Sequence, residues 1–242
     1  MTSKDLLDLS GVHTHIGHYH ILQGVDFAVP RGELTMLLGR NGAGKTTTLR
    51  TIMGMWQASK GAIHFEGHDV TRWQTPTIAR LGVAYVPESM GVFAGLSVQE
   101  NLTLAARNGS LDESRLDWIF SFFPALKKFW FLSAGLLSGG QKQMLAISRA
   151  IVEPRKLLLI DEPTKGLAPS IINNLIEAFH ELKKTDTTIL LVEQNFNAAR
   201  SLGDTVAVMD SGRIVHHGRM AELAEDEDLQ KKLLGLSLDM HQ

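Results

Sequence analysis

Cysteine is absent from this 242-residue chain. Without a thiol, a chain has no disulfide, no thiolate metal site, no iron–sulfur cluster and no cysteine nucleophile, so all four are excluded. An excess of positive charge is also missing, because 24 Lys and Arg stand against 26 Asp and Glu, for a formal net charge of −2. A dedicated nucleic-acid binder usually carries a basic excess, so we expect no nucleic-acid partner.

Long apolar runs are missing as well. No run reaches the ~18–20 residues that a bilayer crossing needs. The nearest candidate, residues 118–137, is interrupted by Pro124 and by two lysines. The first residues carry Asp5 and Asp8 where a signal peptide needs an unbroken apolar stretch, so we expect no such signal.

Aromatic residues are few, at 7% of the chain, yet seven of the sixteen lie within residues 118–131. We expect them to fill the core beneath a helical face and the turn at Pro124, since large aromatic side chains usually do so. The alternative is an apolar docking surface for a partner, because exposed aromatic patches mark interaction sites.

Short apolar runs alternate with helical stretches, which is typical of an α/β domain. We expect one domain over residues 1–242, with a helical subdomain at about 90–150 and a helical tail at about 218–242. The predicted strands are 25–29, 34–38, 62–65, 83–86, 157–160, 188–192, 206–209 and 213–216, and the predicted helices are 44–55, 97–107, 112–123, 138–152 and 171–183.

A glycine-rich string follows the second of these strands and opens the first helix. It fits the phosphate-binding pattern G-x-x-x-x-G-K-[ST]. Glycines let backbone N–H groups approach phosphate oxygens, and the helix start adds the positive end of its dipole. The lysine places a positive charge at the β- and γ-phosphates, and the hydroxyl of Thr46 is a ligand for Mg²⁺. The predicted ATP-binding residues are Gly39, Arg40, Asn41, Gly42, Ala43, Gly44, Lys45, Thr46 and Thr47.

Two adjacent carboxylates end the apolar strand predicted at 157–160. Asp161 can hold Mg²⁺ at the end of the strand. Glu162 points in a different direction and can orient or deprotonate an attacking water. Many buried strands end in acids, so the pair alone is a weak signal. It indicates a nucleotide site because the phosphate-binding string lies about 115 residues upstream.

A third string, Leu137, Ser138, Gly139, Gly140 and Gln141, opens the helix predicted at 138–152. Its hydroxyl, its glycine N–H groups and the helix dipole form a second anion site. One chain with one nucleotide does not need two such sites. Two chains arranged head to tail do, because each phosphate-binding string would then be capped by Ser138 and Gly140 of the other chain. The simpler alternative is a serine that caps an ordinary helix.

With these three strings in this order, the chain resembles the ATP-binding subunits of ABC transporters from about Leu6 to Leu236. It is most similar to the LivF type, the ATPase subunit of importers for branched-chain and related hydrophobic amino acids, through residues 85–88, 166–169 and 191–195. The resemblance implies an α/β P-loop NTPase fold with a parallel-sheet core, an N-terminal antiparallel β subdomain and a helical subdomain. It also implies ATP hydrolysis with Mg²⁺ as cofactor.

The resemblance further implies a peripheral location at the cytoplasmic face of the inner membrane. The expected partners are a second ATPase chain, identical or related, two transmembrane permease subunits that dock near Glu88 and the helical subdomain, and indirectly an external substrate-binding protein. Branched-chain amino acids, other amino acids, amides and urea remain open as cargo. Two other classes stay as alternatives: a free-standing ABC ATPase of DNA repair or translation, and a P-loop kinase.

Three positions depart from the general family pattern. Glu88 stands where the family has glutamine; its carboxylate can ligate Mg²⁺, and its charge should make ATP binding depend more steeply on that metal. Gln194 stands where the family has histidine, and it can donate a hydrogen bond to the γ-phosphate but cannot carry a proton, so Glu162 becomes the main base. Ala168 replaces an aspartate in the segment that contacts the opposite chain.

The residue that stacks on adenine has three candidates in the first β-hairpin. The family usually has an aromatic residue there, and the aligned position is Ile16; His15 or Tyr19 could stack instead. Ile16 and Tyr19 are therefore predicted to contact ATP. The histidines at 13, 15, 18 and 20 also suggest a metal site, although histidines that alternate along a strand are more often surface or stacking residues.

Overall fold

Two β-sheets form the frame of the protein in the computed structural model, which describes residues 4–234. A four-stranded antiparallel sheet has the order β2-β1-β4-β5, and a six-stranded sheet has the order β10-β9-β3-β8-β7-β6. The strands are β1 (Asp5–Ile16), β2 (Tyr19–Pro30), β3 (Leu34–Gly39), β4 (Ala58–Phe65), β5 (His68–Asp69), β6 (Val83–Val86), β7 (Leu157–Asp161), β8 (Thr188–Val192), β9 (Thr205–Asp210) and β10 (Arg213–Arg219).

Helices connect these strands and cover the larger sheet. They are α1 (Lys45–Ile52), α2 (Thr75–Arg80), α3 (Val98–Ala105), α4 (Glu113–Phe122), α5 (Pro124–Lys128), α6 (Gly139–Ile151), α7 (Pro169–Lys183), α8 (Phe196–Leu202), α9 (Met220–Glu225) and α10 (Glu227–Leu234). The predicted parallel-sheet core, antiparallel β subdomain and helical region are thus confirmed.

Side-chain alternation along the parallel strands divides the interior into two hydrophobic cores. Met36 and Leu38 of β3 lie in the core on the helical side, together with side chains of α3, α6 and α7. Leu37 points to the other face, where it packs with α1 and the antiparallel sheet. The central strands are buried on both faces, which explains why they read as continuous apolar runs.

The parallel pairing places the loops after β3, β7 and β8 next to one another. β3 pairs with β8 and with β9, and β8 pairs with β7, all in parallel register. Because the carboxyl ends of parallel strands meet at one edge of a sheet, the segments after β3, β7 and β8 emerge side by side. The phosphate-binding string, the acid pair and Gln194 follow those three strands.

The helical stretch between β6 and β7 contains the cluster of seven aromatic residues at 118–131. Phe123 is fully buried, and Phe131 is 81% exposed. The expectation that the cluster fills the core is therefore confirmed for six of its seven members. The five that pack, partly buried, against the core are Trp118, Phe120, Phe122, Phe129 and Trp130.

Sequence patterns did not reveal β1, β5, α2, α5 or α8. β1 carries polar residues at half-buried and buried positions and has register shifts against β2, so its alternation is irregular. The predicted tail is helical in α9 and α10, and its last part, residues 235–242, lies outside the described residues. Among residues 4–234, no helix combines the length and the apolarity that a bilayer crossing requires.

The turn between β9 and β10 also supports the phosphate-binding string. The N–H of Gly212 donates to the carbonyl of Ala43 over 2.9 Å, and the N–H of Gln23 donates to the carbonyl of Gly212 over 2.8 Å. Gly212 has φ of +77°, and a Cβ atom there would overlap the backbone oxygen of Ile21. This glycine therefore joins β2, the turn and the phosphate-binding string at close quarters.

Gly212→Ala should lower the free energy of unfolding by about 3 kcal/mol or more, because positive φ and backbone overlap act together. Gly67→Ala is the matched control: its φ is +78°, but nothing lies within 4 Å of the added Cβ. The control should lose only about 1 kcal/mol. Urea denaturation of both variants measures the difference, and equal losses would contradict the assigned contact.

Candidate functional site

Lys45 lies at the centre of the edge where β3, β7 and β8 end. Its side chain is buried, and its Nζ donates to the carbonyls of Gly39 over 2.9 Å and Arg40 over 3.1 Å. The same Nζ lies 3.7 Å from Oε1 of Glu162. The structure thus brings the predicted phosphate-binding lysine and the predicted base into contact.

The loop before α1 is shaped for close approach of its backbone. Gly39 has φ of +148°, and a Cβ atom there would overlap the carbonyl of Met209 in β9. The helix that follows starts at Lys45 without a side-chain cap, so its first N–H groups have no side-chain acceptor. Free N–H groups at a helix start are the feature that binds phosphate oxygens.

Thr46 and Asp161 form an oxygen pair beside this loop. The Thr46 hydroxyl donates to Oδ1 of Asp161 over 3.1 Å, and the Tyr85 hydroxyl donates to Oδ2 over 3.3 Å. Burial raises the pKa of the Asp161 carboxyl, and the Thr46 bond opposes that shift. Burial, followed by the nearby Asp161 charge, raises the pKa of Tyr85 to about 12, so Tyr85 remains a donor. Hard oxygen donors of this kind suit Mg²⁺.

Glu162 accepts a hydrogen bond on one carboxylate oxygen and forms an ion pair through the other. Oε1 accepts from Nε2 of Gln194 over 2.5 Å, and the same Nε2 donates to Oδ1 of Asn41 over 2.7 Å. Oε2 lies 3.3 Å from the Nζ of Lys165. Glu162 adopts a positive φ of 47°, which is uncommon for a residue other than glycine. The two predicted catalytic residues, Glu162 and Gln194, are therefore in direct contact.

Glu88, the third predicted metal ligand, reaches the same cluster through a lysine. Its Oε1 pairs with the Nζ of Lys165 over 2.7 Å. Its negative charge is one of the causes that raise the pKa of Asp161. The three predicted ligands Thr46, Asp161 and Glu88 thus lie in one region. The Glu88 carboxylate is already paired with the ammonium of a lysine.

Sequence reasoning missed Glu193 and Thr164 as members of the site. The buried Glu193 carboxylate accepts from the N–H of Thr164 over 3.1 Å, from the Thr164 hydroxyl over 3.0 Å, and from the N–H groups of Gln194 and Asn195 over 3.1 and 3.3 Å. Burial raises the pKa of this carboxyl, and the Thr164 bonds oppose that shift. Glu193 therefore ties the loop after Glu162 to the loop that carries Gln194.

Glu193→Gln should cost about 2 kcal/mol in the free energy of unfolding, because an NH₂ group would face backbone or hydroxyl donors in place of one oxygen. Thr164→Val removes the hydroxyl donor alone and should cost about 1 kcal/mol. The double variant should lose less than the sum, since both changes remove the same contact. Urea denaturation measures the cycle, with Thr164→Ser as the control that keeps the hydroxyl; strict additivity would rule out the contact.

The third string lies at the start of α6, where Ser138 and Gly139 are exposed and Leu137 and Gly140 are buried. Ser138 caps the helix by accepting from the N–H of Gln141 over 3.3 Å, and the Gln141 side chain accepts from the N–H of Ser138 over 2.9 Å. Gly140 lies against Ile171 of α7, so a side chain there would collide. The serine cap considered as an alternative is thus present. No described hydrogen bond or ion pair joins residues 137–141 to the phosphate-binding loop of the same chain.

The adenine candidates lie at the tip of the β1–β2 hairpin. Ile16 and Tyr19 face each other across the turn, and Tyr19 is 76% exposed. The hairpin continues to Leu22, whose side chain lies beside Gly44 of the phosphate-binding loop. His15 stacks on His20 at 4.2 Å between ring centroids. This stacking leaves Tyr19 as the exposed aromatic of the hairpin tip.

The same hairpin does not hold a metal site. His13 and His20 are hydrogen-bonded ring to ring over 2.9 Å. Within the part of the chain that the structure describes, no three His, Asp or Glu side chains are grouped as a metal would require. The favoured interpretation, that these histidines are surface or stacking residues, is therefore confirmed.

The fold and this site define a P-loop ATPase, and comparisons with known proteins agree. The profile of the family described as ABC transporter matches residues 22–165. The branched-chain amino acid transport ATP-binding protein BraG of Pseudomonas aeruginosa is 40% identical over 232 residues, which are 95% of this chain and 100% of BraG. A probable LivF of Archaeoglobus fulgidus is 37% identical over 90% of this chain and 93% of its own.

Solved structures show the same fold. The structure of an ATP-binding subunit of an ABC transporter has a TM-score of 0.79 at 31% identity and covers 97% of this chain and 96% of its own. An ATP-binding cassette of an ABC transporter in its ADP conformation has a TM-score of 0.80 at 25% identity, over 96% and 99%. The chain belongs to the ABC transporter family, as an ATP-binding subunit that hydrolyses ATP.

Proposed function

We propose that this chain is the motor of an importer for branched-chain or other hydrophobic amino acids. The names of BraG and of the probable LivF both specify branched-chain amino acid transport, and this supports the proposed cargo. The observation that carries the proposal is the direct contact of Glu162 with Gln194 and Lys45 at the mouth of the phosphate-binding loop.

Lys45 and the first turn of α1 bind the phosphates of ATP. In the structure the ammonium of Lys45 is satisfied by the carbonyls of Gly39 and Arg40 and by Glu162. Its long side chain can turn toward an incoming phosphate without moving the loop. The remaining residues of the string, together with Tyr19 and Ile16 at the hairpin tip, complete the proposed nucleotide site.

Thr46, Asp161 and Glu88 would hold Mg²⁺, and their hydroxyl and carboxylate oxygens suit that ion. When bound, the metal neutralises charge on the transferring phosphoryl group. The Thr46–Asp161 hydrogen bond keeps the two oxygens on the same side of the site. Tyr85 fixes the other oxygen of Asp161 and so orients its carboxylate.

Glu162 takes the proton of the attacking water in this proposal. Gln194 donates to one of its oxygens, which leaves Oε2 to receive the proton. Gln194 cannot itself exchange a proton at neutral pH, so it positions and does not replace the base. Asn41 holds the Gln194 amide from the other side and limits its rotation.

A second ATPase chain, identical or related, would complete each site head to tail. Ser138 and Gly139 are exposed at the start of α6, so they can reach the nucleotide of another chain. We expect no nucleic-acid partner, because the chain has no excess of positive charge and its three strings are typical of a transporter ATPase.

Two permease subunits would dock at a groove beside Glu88, which would place the chain at the cytoplasmic face of the inner membrane. The groove lies between the larger sheet and the helical stretch, and an external substrate-binding protein would act on it only through the permeases. It presents methionine side chains, which adapt well to a partner helix. Its lining includes Met53, Met55, Tyr85, Pro87, Met90 and Arg149.

Glu162→Gln should bind ATP with an affinity within a few fold of the parent and hydrolyse it at least ~100-fold more slowly, the scale of a positioned base. Glu181→Gln, which alters an exposed ion pair of α7, is the matched control and should hydrolyse normally. Phosphate release and equilibrium nucleotide binding measure the two properties separately. A Glu162→Gln rate close to that of the parent would remove the assigned role.

A further inference from the structure

Lys165 makes a bridge between two carboxylates of the proposed site. Its Nζ lies 2.7 Å from Oε1 of Glu88 and 3.3 Å from Oε2 of Glu162. The Glu162 side chain is 8% exposed, whereas those of Lys165 and Glu88 are about half exposed. The bridge therefore joins an accessible acid to a buried one across the mouth of the site.

Negative charge is concentrated at this edge of the sheet. Glu88, Asp161 and Glu162 converge where the triphosphate of ATP would add further negative charge. Lys45 is engaged by backbone carbonyls and Glu162, so it does not reach Glu88 in the described structure. Lys165 is the cation paired with Glu88, and its hydrogen bonds to Glu88 and then to Glu162 raise the pKa of its ammonium.

We infer that Lys165 is a displaceable counter-ion that holds Glu88 and Glu162 until a divalent cation takes its place at Glu88. The inference rests on the proposed function, because it assigns Glu88 to the metal. It also changes the expectation drawn from the sequence, in which the charge of Glu88 faced the nucleotide without compensation. With Lys165 in place, nucleotide without metal meets a site whose charge is partly neutralised.

Competition between two cations has a defined consequence. If Lys165 is removed, metal-free nucleotide meets more negative charge and binds more weakly. The divalent cation then no longer competes with an ammonium, so it binds the nucleotide complex more tightly. Both shifts should be about 3-fold, the size expected of exposed ion pairs. A lysine with a merely structural role would not move the two affinities in opposite directions.

The test measures binding, with a fluorescent ATP analogue as the probe. Its affinity is determined in EDTA and across a Mg²⁺ titration, and Mn²⁺ bound to the nucleotide complex is counted by electron paramagnetic resonance. Lys165→Met keeps the aliphatic stem and removes the charge, whereas Lys165→Arg keeps the charge. Lys184→Met is the matched control, because Lys184 forms an exposed ion pair with Glu181 in α7.

Lys165→Met should weaken binding in EDTA about 3-fold and lower the Mg²⁺ concentration at half saturation about 3-fold, while Lys165→Arg and Lys184→Met stay near the parent. In a Glu88→Gln background the effect on the Mg²⁺ concentration should largely disappear, since Lys165 then no longer competes with the metal for Glu88. Equal behaviour of Lys165→Met and Lys184→Met would overturn the inference and leave the proposed function standing. A parent protein whose nucleotide binding ignores Mg²⁺ would instead contradict the proposed metal site.

Discussion

The parallel neighbours β3, β8 and β7 are the constraint on which the site depends. Their register brings the loop of Lys45, the acid pair and the loop of Gln194 to one edge, although more than a hundred residues separate the first from the last. Hydrophobic cores on both faces hold these strands in place. Burial of Asp161 and Glu162 at the strand end follows from the same packing, and it strengthens each charged contact there.

Each carboxylate at this edge of the sheet is paired with a particular kind of donor. Asp161 accepts hydrogen bonds from hydroxyls, and Glu193 accepts them from backbone N–H groups and a hydroxyl. Glu162 accepts a hydrogen bond from an amide and forms ion pairs with two ammonium groups. Neutral donors fix the carboxylates that must keep their positions. Ammonium groups on flexible side chains meet Glu162, whose surroundings must change when nucleotide and water arrive. The site is therefore rigid where it orients ligands and adjustable where charge is exchanged.

Much of this arrangement could be predicted from local sequence. The phosphate-binding string, the acids after β7 and the strands buried on both faces each have a short pattern with a physical cause. Glu193 and Lys165 could not be assigned in that way, because their roles depend on contacts with Thr164 and Glu88 that are distant in sequence. β1 and β5 were missed because irregular register and short length weaken the alternation.

The central claim is that each ATP site is completed by a second chain. A mixture of Lys45→Ala chains and Ser138→Ala chains tests it most directly, because each variant alone lacks one half of every site. In a random mixture, half of the dimers are mixed and each holds one intact site, so phosphate release should recover to roughly a quarter of the parent rate. A mixture no faster than its separate components, or a Ser138→Ala protein as fast as the parent by itself, would contradict the account.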